Sequence, residues 1–134
     1  MKHFELSQDM LNLRGQFYPT GHIVAMFATA DAAEAAGSAL QSAGLDADDI
    51  SLITPEAMLR DIVRTVGSSG ATLPSAGTEA DTVRRYADYA SSGHYGLLVK
   101  APDHDDSDRV MEVLQRHQVA HAQKYRMLVI EDLA

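Results

Sequence analysis

The sequence predicts an α+β fold in which two similar strand–helix–strand halves share one sheet. A repeated segment is the first observation: residues 21–31 read GHIVAMFATAD and residues 93–103 read GHYGLLVKAPD. Each copy is followed by an apolar helical pattern and then by a second strand pattern. The 134 residues, 46% of them hydrophobic, suffice for one domain with a core. Together these observations predict a ferredoxin-like sandwich with a four-stranded antiparallel sheet, as a single domain over residues 1–134.

The first half begins and ends with a strand. Residues 23–27 form an unbroken apolar run, which is typical of a strand covered on both faces. Asp31, with Glu34 three residues later, matches a helix capping box, and Gly44 supplies the left-handed stop of that helix. A short second strand follows over residues 50–53. This order predicts a right-handed crossover between the two strands.

Residues 55–92 read as a helical insertion between the halves. Thr54 and Pro55 match an N-cap and a first-turn residue, and Gly67 ends the first of two predicted helices. The apolar positions that recur at helical spacing are Met58, Leu59, Ile62, Val63, Val66, Val83, Tyr86, Ala87 and Ala90. Residues 68–77, SSGATLPSAG, predict a surface loop between the helices.

The second half carries its helix over residues 105–118 and a final strand over residues 121–130. Asp103 falls opposite Asp31 in the repeat, at the start of this helix. The N-terminal residues 1–20 are too apolar for a free tail. We expect them to pack on the domain.

Composition narrows the class of partner and the location. A formal net charge of −8 opposes binding to the phosphate backbone of nucleic acids. The chain has no cysteine, which favours an intracellular location, and no apolar run of membrane-spanning length. Its first residues lack the hydrophobic region of a signal peptide. We expect a cytoplasmic protein that binds small molecules or proteins, with no nucleic acid or membrane partner.

Strand alternation predicts a second apolar face on the sheet. Leu97 and Val99 fall on the face toward the crossover helices, and Leu98 falls on the other. The second face collects Val24, Met26, Leu98, Leu128 and Ile130. An aliphatic surface of this extent is not left in water. We expect the N-terminal segment to cover it, or else a second copy of the chain, in a homodimer formed through the sheet face.

The usual chemical motifs are incomplete in this chain. Among its six histidines His117 and His121 have the four-residue spacing of a helical metal site, but they straddle the end of a predicted helix, and His22 and His94 begin neighbouring antiparallel strands, so they lie at opposite ends of the sheet. Residues 103–107 imitate the opening of a calcium loop, but Asp108 stands where the turn glycine belongs. The segment from Gly67 lacks the lysine of a phosphate loop. We predict no metal, no cofactor and no catalytic residue.

One polar cluster remains, where the first strand begins and the third ends. His22 and Lys100 fall on neighbouring antiparallel strands, and Arg126 on the fourth strand shares their face by the same alternation. Basic side chains in an acidic protein can hold a small anion or an acidic partner segment. A rim of ion pairs around an interface is the other interpretation. We take His22, Lys100 and Arg126 as candidate ligand-binding residues.

The chain resembles the YflT heat-induced stress-protein family and its uncharacterised relatives over about residues 22–130. The segments that carry the resemblance are HIVAMFATADAAEAA from residue 22, TPE from residue 54, GTEADTVRRYADYASSGHYGLLVKAPD from residue 77 and AQKYRMLVIEDL from residue 122. The resemblance implies a ferredoxin-like domain associated with general stress, with no established reaction and no agreed site residues. The N-terminal segment with FYPTGH departs from the family pattern.

Two functions of different classes follow. The first is a non-catalytic, stress-associated or regulatory binding module that forms a homodimer. The second is a cofactor-independent enzyme that uses the cavity of a dimeric ferredoxin-like fold, with His22 or His94 as acid or base. An enclosed cavity with a polar group inside favours the enzyme, whereas a filled sheet face favours the module. The sequence favours the binding module.

Overall fold

The computed structural model describes residues 1–12, 15–67, 77–126 and 129–134, and these form an α+β fold, as predicted. The strands are β1 (Lys2–His3), β2 (His22–Phe27), β3 (Ile50–Ile53), β4 (Tyr95–Lys100), β5 (His121–Tyr125) and β6 (Ile130–Asp132). The α-helices are α1 (Ala30–Ser42), α2 (Pro55–Ala57), α3 (Arg64–Gly67), α4 (Gly77–Ser91) and α5 (His104–Gln115), and a π-helical segment, Met58–Val63, joins α2 to α3. The loop was predicted over residues 68–77; residues 68–76 lie outside the described residues, as does the predicted placement of Leu128, and Gly77 is the first residue of α4 rather than part of the loop.

The strands form one six-stranded mixed sheet in the order β1-β3-β4-β2-β5-β6. β1 runs parallel to β3, and every other neighbouring pair is antiparallel. The prediction of four strands is therefore wrong. In the central pair His22 lies opposite Lys100 and Phe27 lies opposite Tyr95. His94 comes directly before Tyr95, so His22 and His94 lie at opposite ends of the sheet, as predicted.

The two additional strands have separate origins. β1 comes from the N-terminal segment, which adds an edge strand beside β3. β6 arises because the predicted final strand is interrupted: β5 ends at Tyr125, and the amide of Arg126 donates a hydrogen bond to the carbonyl of Val129 at 2.9 Å. After Val129, β6 pairs antiparallel with β5.

Side-chain caps begin both α1 and α2. The cap of α1 lies two residues before the predicted residue, and the cap of α2 is the predicted residue. α1 begins at Ala30, and the Thr29 hydroxyl accepts a hydrogen bond from the amide of Ala32 at 3.1 Å. The prediction of Asp31 as the cap is therefore wrong, and Asp31 lies in the first turn, where the helix dipole favours a carboxylate. Thr54 caps α2 as predicted, by accepting from the amide of Ala57 at 3.1 Å.

Gly44 ends α1 in the left-handed conformation that was predicted for it. Its φ is 108°, and the amide of Leu45 reaches back to the carbonyl of Leu40 at 3.1 Å. This is the hydrogen-bond pattern of a Schellman stop.

Replacement of Gly44 by valine is expected to lower the free energy of unfolding by about 1–2 kcal/mol, because a branched side chain is strained at positive φ. A Cβ at this position would meet no atom within 4 Å, so the expected loss isolates backbone strain. Urea denaturation followed by circular dichroism measures it. Ala43→Val in the same turn, where φ is −81°, is the control. Equal stability of the two variants would contradict the assignment.

The first face of the sheet, here called the helix face, packs against α1 and α5. Its buried core joins Ile23, Ala25 and Phe27 of β2 with Leu97 and Val99 of β4 and with Ala33, Ala36, Leu40, Val110 and Leu114 of the two helices. The predicted side for Leu97 and Val99 is confirmed.

The second face, here called the insertion face, is also buried. Val24, Met26 and Leu98 lie on it, as predicted, under Met58, Ile62, Val83, Tyr86 and Ala90 of the insertion and Phe4 and Phe17 of the N-terminal segment. The prediction named the N-terminal segment or a second subunit as the cover, and it missed the insertion. The apolar stripes of the two insertion helices are what fill this face.

The N-terminal segment and the insertion are also joined by a hydrogen bond. The amide of Phe17 donates to the Thr65 hydroxyl of α3 at 2.9 Å, and this hydroxyl donates to the carbonyl of Ile62 at 2.7 Å. On the insertion helix itself, Leu59 was predicted to be on the apolar face, but it is 40% exposed. Met58 and Ile62, predicted on the same face, are fully buried, and all three residues lie in the π-helical segment.

Candidate functional site

A surface cleft of about 280 Å³ lies where β4 ends and α5 begins, and we call it the Lys100 cleft. It is lined by Gly44, Leu45, Asp46, Asp49, Lys100, Pro102, Asp106, Arg109 and Val110. Each part of its wall has a different origin: the turn after α1, the 3₁₀ turn before β3, the end of β4, and the first turns of α5. Three carboxylates and two basic groups therefore meet at one opening.

The charged groups of this cleft do not neutralise one another by direct contact. Ile50 pairs with Val99, which places the preceding Asp49 beside the following Lys100 on the neighbouring strand. Asp106 and Arg109 are three residues apart on α5, a spacing at which helical ion pairs form. Within the described part of the chain, no ion pair within 4.0 Å includes any of the five charged side chains. Opposite charges therefore face the same opening across solvent.

The structure distributes the three predicted site residues over different surroundings. His22 and Lys100 are direct neighbours in the register of β2 and β4. The His22 ring lies 3.1 Å from the carbonyl of Thr20, and Lys100 lines the cleft. Arg126 follows the end of β5 and pairs with Glu131 at 2.9 Å. His22 and Lys100 are therefore neighbours on adjacent strands, whereas Arg126 forms an ion pair with Glu131 of β6.

Four charged residues of the cleft were not among the predicted site residues: Asp46, Asp49, Asp106 and Arg109. The signal that could have found Asp49 is the pairing of the second and third predicted strands, which places it beside Lys100. Asp106 and Arg109 read as ordinary exposed residues of a helix start. Only the packing of α5 against the end of β4 makes them neighbours of Lys100.

A second polar group lies buried on the insertion face, along β5. The Tyr86 hydroxyl of α4 is 3.0 Å from the Tyr125 hydroxyl and donates to Gln123 Oε1 at 3.2 Å. Gln123 Nε2 in turn donates to Asp132 of β6 at 2.6 Å. Burial raises the pKa of Tyr86, and the neighbouring Tyr125 raises it further. These contacts tie α4 to the sheet with neutral hydroxyl and amide groups.

Beside this network the Tyr89 ring packs against two histidines. It is stacked on His121 at a centroid distance of 5.6 Å and lies 4.9 Å from the ring of His94. His121 is 5% exposed, and its Nε2, like Nδ1 of His94, has no hydrogen-bond partner in the described part of the chain. Burial lowers the pKa of His121, and the positive charge of Arg85 lowers it further.

This lowered pKa predicts a loss of stability in mild acid. Unfolded His121 takes up its proton near pH 6.5, before the folded form does, so the unfolded state binds more protons between the two pKa values. Stability is therefore complete above about pH 6.5 and falls as the pH drops through the folded pKa. Urea denaturation at stepped pH measures the slope, which His121→Asn should flatten. His104→Asn, on the exposed side of α5, should leave it unchanged.

A buried lysine lies on the other face of β5. Lys124 is 3% exposed, and its Nζ donates to the carbonyl of Ala101 and to Ser107 Oγ at 2.5 Å. Burial lowers the pKa of Lys124, and the charge of Arg126 lowers it further. Serine beside lysine is a pairing that some hydrolases use, but Ser107 is itself only 4% exposed. The pair joins β5 to α5 and presents no accessible nucleophile.

The described residues contain neither a metal-binding cluster nor a membrane-spanning helix. No group of three or more His, Asp or Glu side chains in these residues is arranged to hold a metal ion. None of the described helices has the length and apolar character needed to cross a membrane.

Comparisons of the chain with protein-family models, with curated proteins and with solved structures found no match. The resemblance to the YflT family gains no support from them and stays a prediction.

Proposed function

We propose that this chain is a non-catalytic binding module that holds a small charged molecule in the Lys100 cleft. The observation that carries the proposal is the set of opposite charges that line one opening with no ion pair to any described residue. Surface ion pairs between charged side chains of opposite sign are worth little in themselves. The separation of the charged side chains in the cleft leaves their hydrogen-bonding capacity available to a ligand.

A ferredoxin-like core for this module is part of the proposal. The order β3-β4-β2-β5 at the centre of the sheet, with all three pairings antiparallel, supports it. So does the position of α1 and α5 on one face, each within a crossover between two strands separated by a third. In this view β1, β6 and the insertion are additions at the edges and on the second face.

Binding is favoured over catalysis by the way the interior is filled. The alternative, an enzyme with an acid or base at His22 or His94, uses a cavity on the sheet face. Apolar side chains occupy both faces in the described residues. The buried Tyr86 and Lys124 are both held in hydrogen bonds between secondary-structure elements.

The homodimer was predicted on the condition that residues 1–18 do not cover the second sheet face. Phe4 and Phe17 lie in the core of that face, with the insertion helices around them. We therefore expect the full chain to sediment as a monomer of 14.5 kDa. A dimer at micromolar concentration would contradict this expectation and would return the homodimer to the proposal. The stress association rests on the family resemblance alone, and the cytoplasmic location rests on the composition.

Native mass spectrometry of the purified chain, incubated with a small-molecule extract of the expression host, tests the proposed function. We expect a bound species of metabolite size that is lost in Lys100→Ala. Arg84→Ala, which removes an exposed cation from α4 on the opposite face, is the matched control and should retain the ligand. Retention of the ligand by Lys100→Ala, or no bound species in the parent chain, would contradict the proposal.

A further inference from the structure

We propose that the Lys100 cleft binds a zwitterion of the α-amino-acid class, with the ligand carboxylate toward Lys100 and Arg109 and its ammonium group toward the acidic side chains. This inference rests on the proposed function, because it names the ligand of the same site. It replaces the simple anion expected from a cluster of His22, Lys100 and Arg126.

The balance of charge at the opening carries the first step. Two basic side chains and three carboxylates line the cleft. A ligand with only negative charge would gain from the basic pair and lose to the carboxylates, and a ligand with only positive charge would do the reverse. A molecule that carries both charges a few bonds apart can gain from both sets at once.

The arrangement of these charges carries the second step. Asp46 and Asp49 flank the turn between α1 and β3, whereas Arg109 projects from α5 on another wall. Lys100 stands at the end of β4, beside Asp49 in the strand register. The groups therefore come from separate elements around one opening, and a ligand with two charged ends can bridge them.

The apolar part of the lining and the cleft size carry the third step. Leu45, Pro102 and Val110 contribute to the same wall. The volume of about 280 Å³ lies just below the range of about 300–1,000 Å³ that is typical of sites for drug-sized ligands. A single amino acid with an aliphatic side chain suits this size, because its hydrocarbon end can cover the apolar wall while its charged end meets the five charged groups.

Three probes with the same branched hydrocarbon chain test whether the cleft prefers a zwitterion, an anion or a cation. L-leucine carries both charges, 4-methylpentanoate keeps only the carboxylate, and 3-methylbutylamine keeps only the ammonium group. Titration of the ¹⁵N-labelled chain, followed by amide chemical shifts, should give saturable changes at Asp49, Lys100 and Arg109 with L-leucine. We expect at least tenfold weaker binding of the other two probes.

Two variants test which charge each wall supplies. Lys100→Met should weaken L-leucine binding at least tenfold and bind the amine at least as well as the parent chain does, because the substitution removes a cation that repels the ammonium group. Asp49→Asn should weaken binding of L-leucine and of the amine and bind 4-methylpentanoate at least as well as the parent chain does, because the substitution removes a charge that repels the probe carboxylate. Arg84→Gln on α4 is the control that should alter none of the three titrations.

The outcomes also distinguish this inference from the proposed function. Equal binding of 4-methylpentanoate and L-leucine would make the cleft an anion site, and equal binding of the amine would make it a cation site. Either result would overturn the zwitterion and leave the binding module in place. Absence of saturable shifts with all three probes would overturn the proposed amino-acid ligand. If the chain also retained no species from the host extract, the proposed function would fail with it.

Discussion

Phe17→Ala is expected to lose about 3–5 kcal/mol of unfolding free energy, the range seen when a buried phenylalanine is truncated in a packed core. The side chain is fully buried on the insertion face, with the rings of Phe4 and Tyr125 packed edge-on at centroid distances of 6.2 and 5.9 Å. Its removal leaves a cavity between the N-terminal segment and the sheet. Against a total stability of about 5–15 kcal/mol for an ordinary domain, this is a large share.

Urea denaturation of the parent chain and of Phe17→Ala, followed by far-ultraviolet circular dichroism, measures the difference. Val129→Ala is the control, because Val129 is 54% exposed in the turn between β5 and β6 and its truncation should cost less than about 0.5 kcal/mol. If the two variants were equally stable, the N-terminal segment would not be part of the core. The second face would then again need a partner, and the homodimer would regain its physical argument.

Local signals were sufficient for the elements whose ends are defined by their own residues. The Gly44 stop and the Thr54 cap depend on hydrogen bonds and backbone preferences within a few residues, and a sequence pattern records them directly. The strand Ile50–Ile53 was predicted from its own apolar residues, although it pairs with β4 and β1. The cap of α1 was missed because Thr29 and Asp31 are both good capping residues. The choice between them depends on where β2 ends, which is set by its pairing with β4 and β5.

The break between β5 and β6 has no comparable local signal. The residues that follow Tyr125 are Arg, Met, Leu, Val and Ile, and this composition reads as a continued strand. Tyr18, which comes from the N-terminal segment, donates a hydrogen bond to the carbonyl of Arg126 at 2.5 Å and packs on the Tyr125 ring at 5.0 Å. Contacts between residues about 108 positions apart in the chain thus accompany the end of this strand.

The candidate site shows the same division between local and distant information. Lys100 could be named from its position at the end of a strand and from its charge. Its neighbours Asp46 and Arg109 come from the turn after α1 and from α5, and they meet only because both helices pack on the helix face. A sequence pattern gives the side that each helix buries, but it does not give the position of one helix along another.

The cover of the insertion face was missed for a related reason, although its parts were recognised. The apolar stripes on the two insertion helices require burial, and so does the second face of the sheet. Neither pattern indicates that the insertion helices cover the second face of the sheet. The observed packing shows that the insertion is part of the core, since Met58 and Ile62 lie in the same buried cluster as Val24 and Met26.

Met58→Ala is therefore expected to destabilise the whole fold by about 2–5 kcal/mol and to leave unfolding a single transition. Met58 is fully buried, and its methyl carbon lies 3.4 Å from the place where a Cβ would stand on Gly96 of β4, so its truncation leaves space directly on the sheet. Leu59→Ala, one residue along the same π-helical segment but 40% exposed, is the matched control and should cost less than about 1 kcal/mol.

Amide hydrogen exchange in low urea tests whether the insertion and the sheet unfold together, because it reports protection in α4 and in β2 separately. If the insertion belongs to the core, protection in α4 and in β2 should fall together in Met58→Ala. Loss of protection in α4 alone, with β2 unaffected, would mean that the insertion unfolds as an independent layer, and the sheet face beneath it would then become accessible without unfolding of the rest.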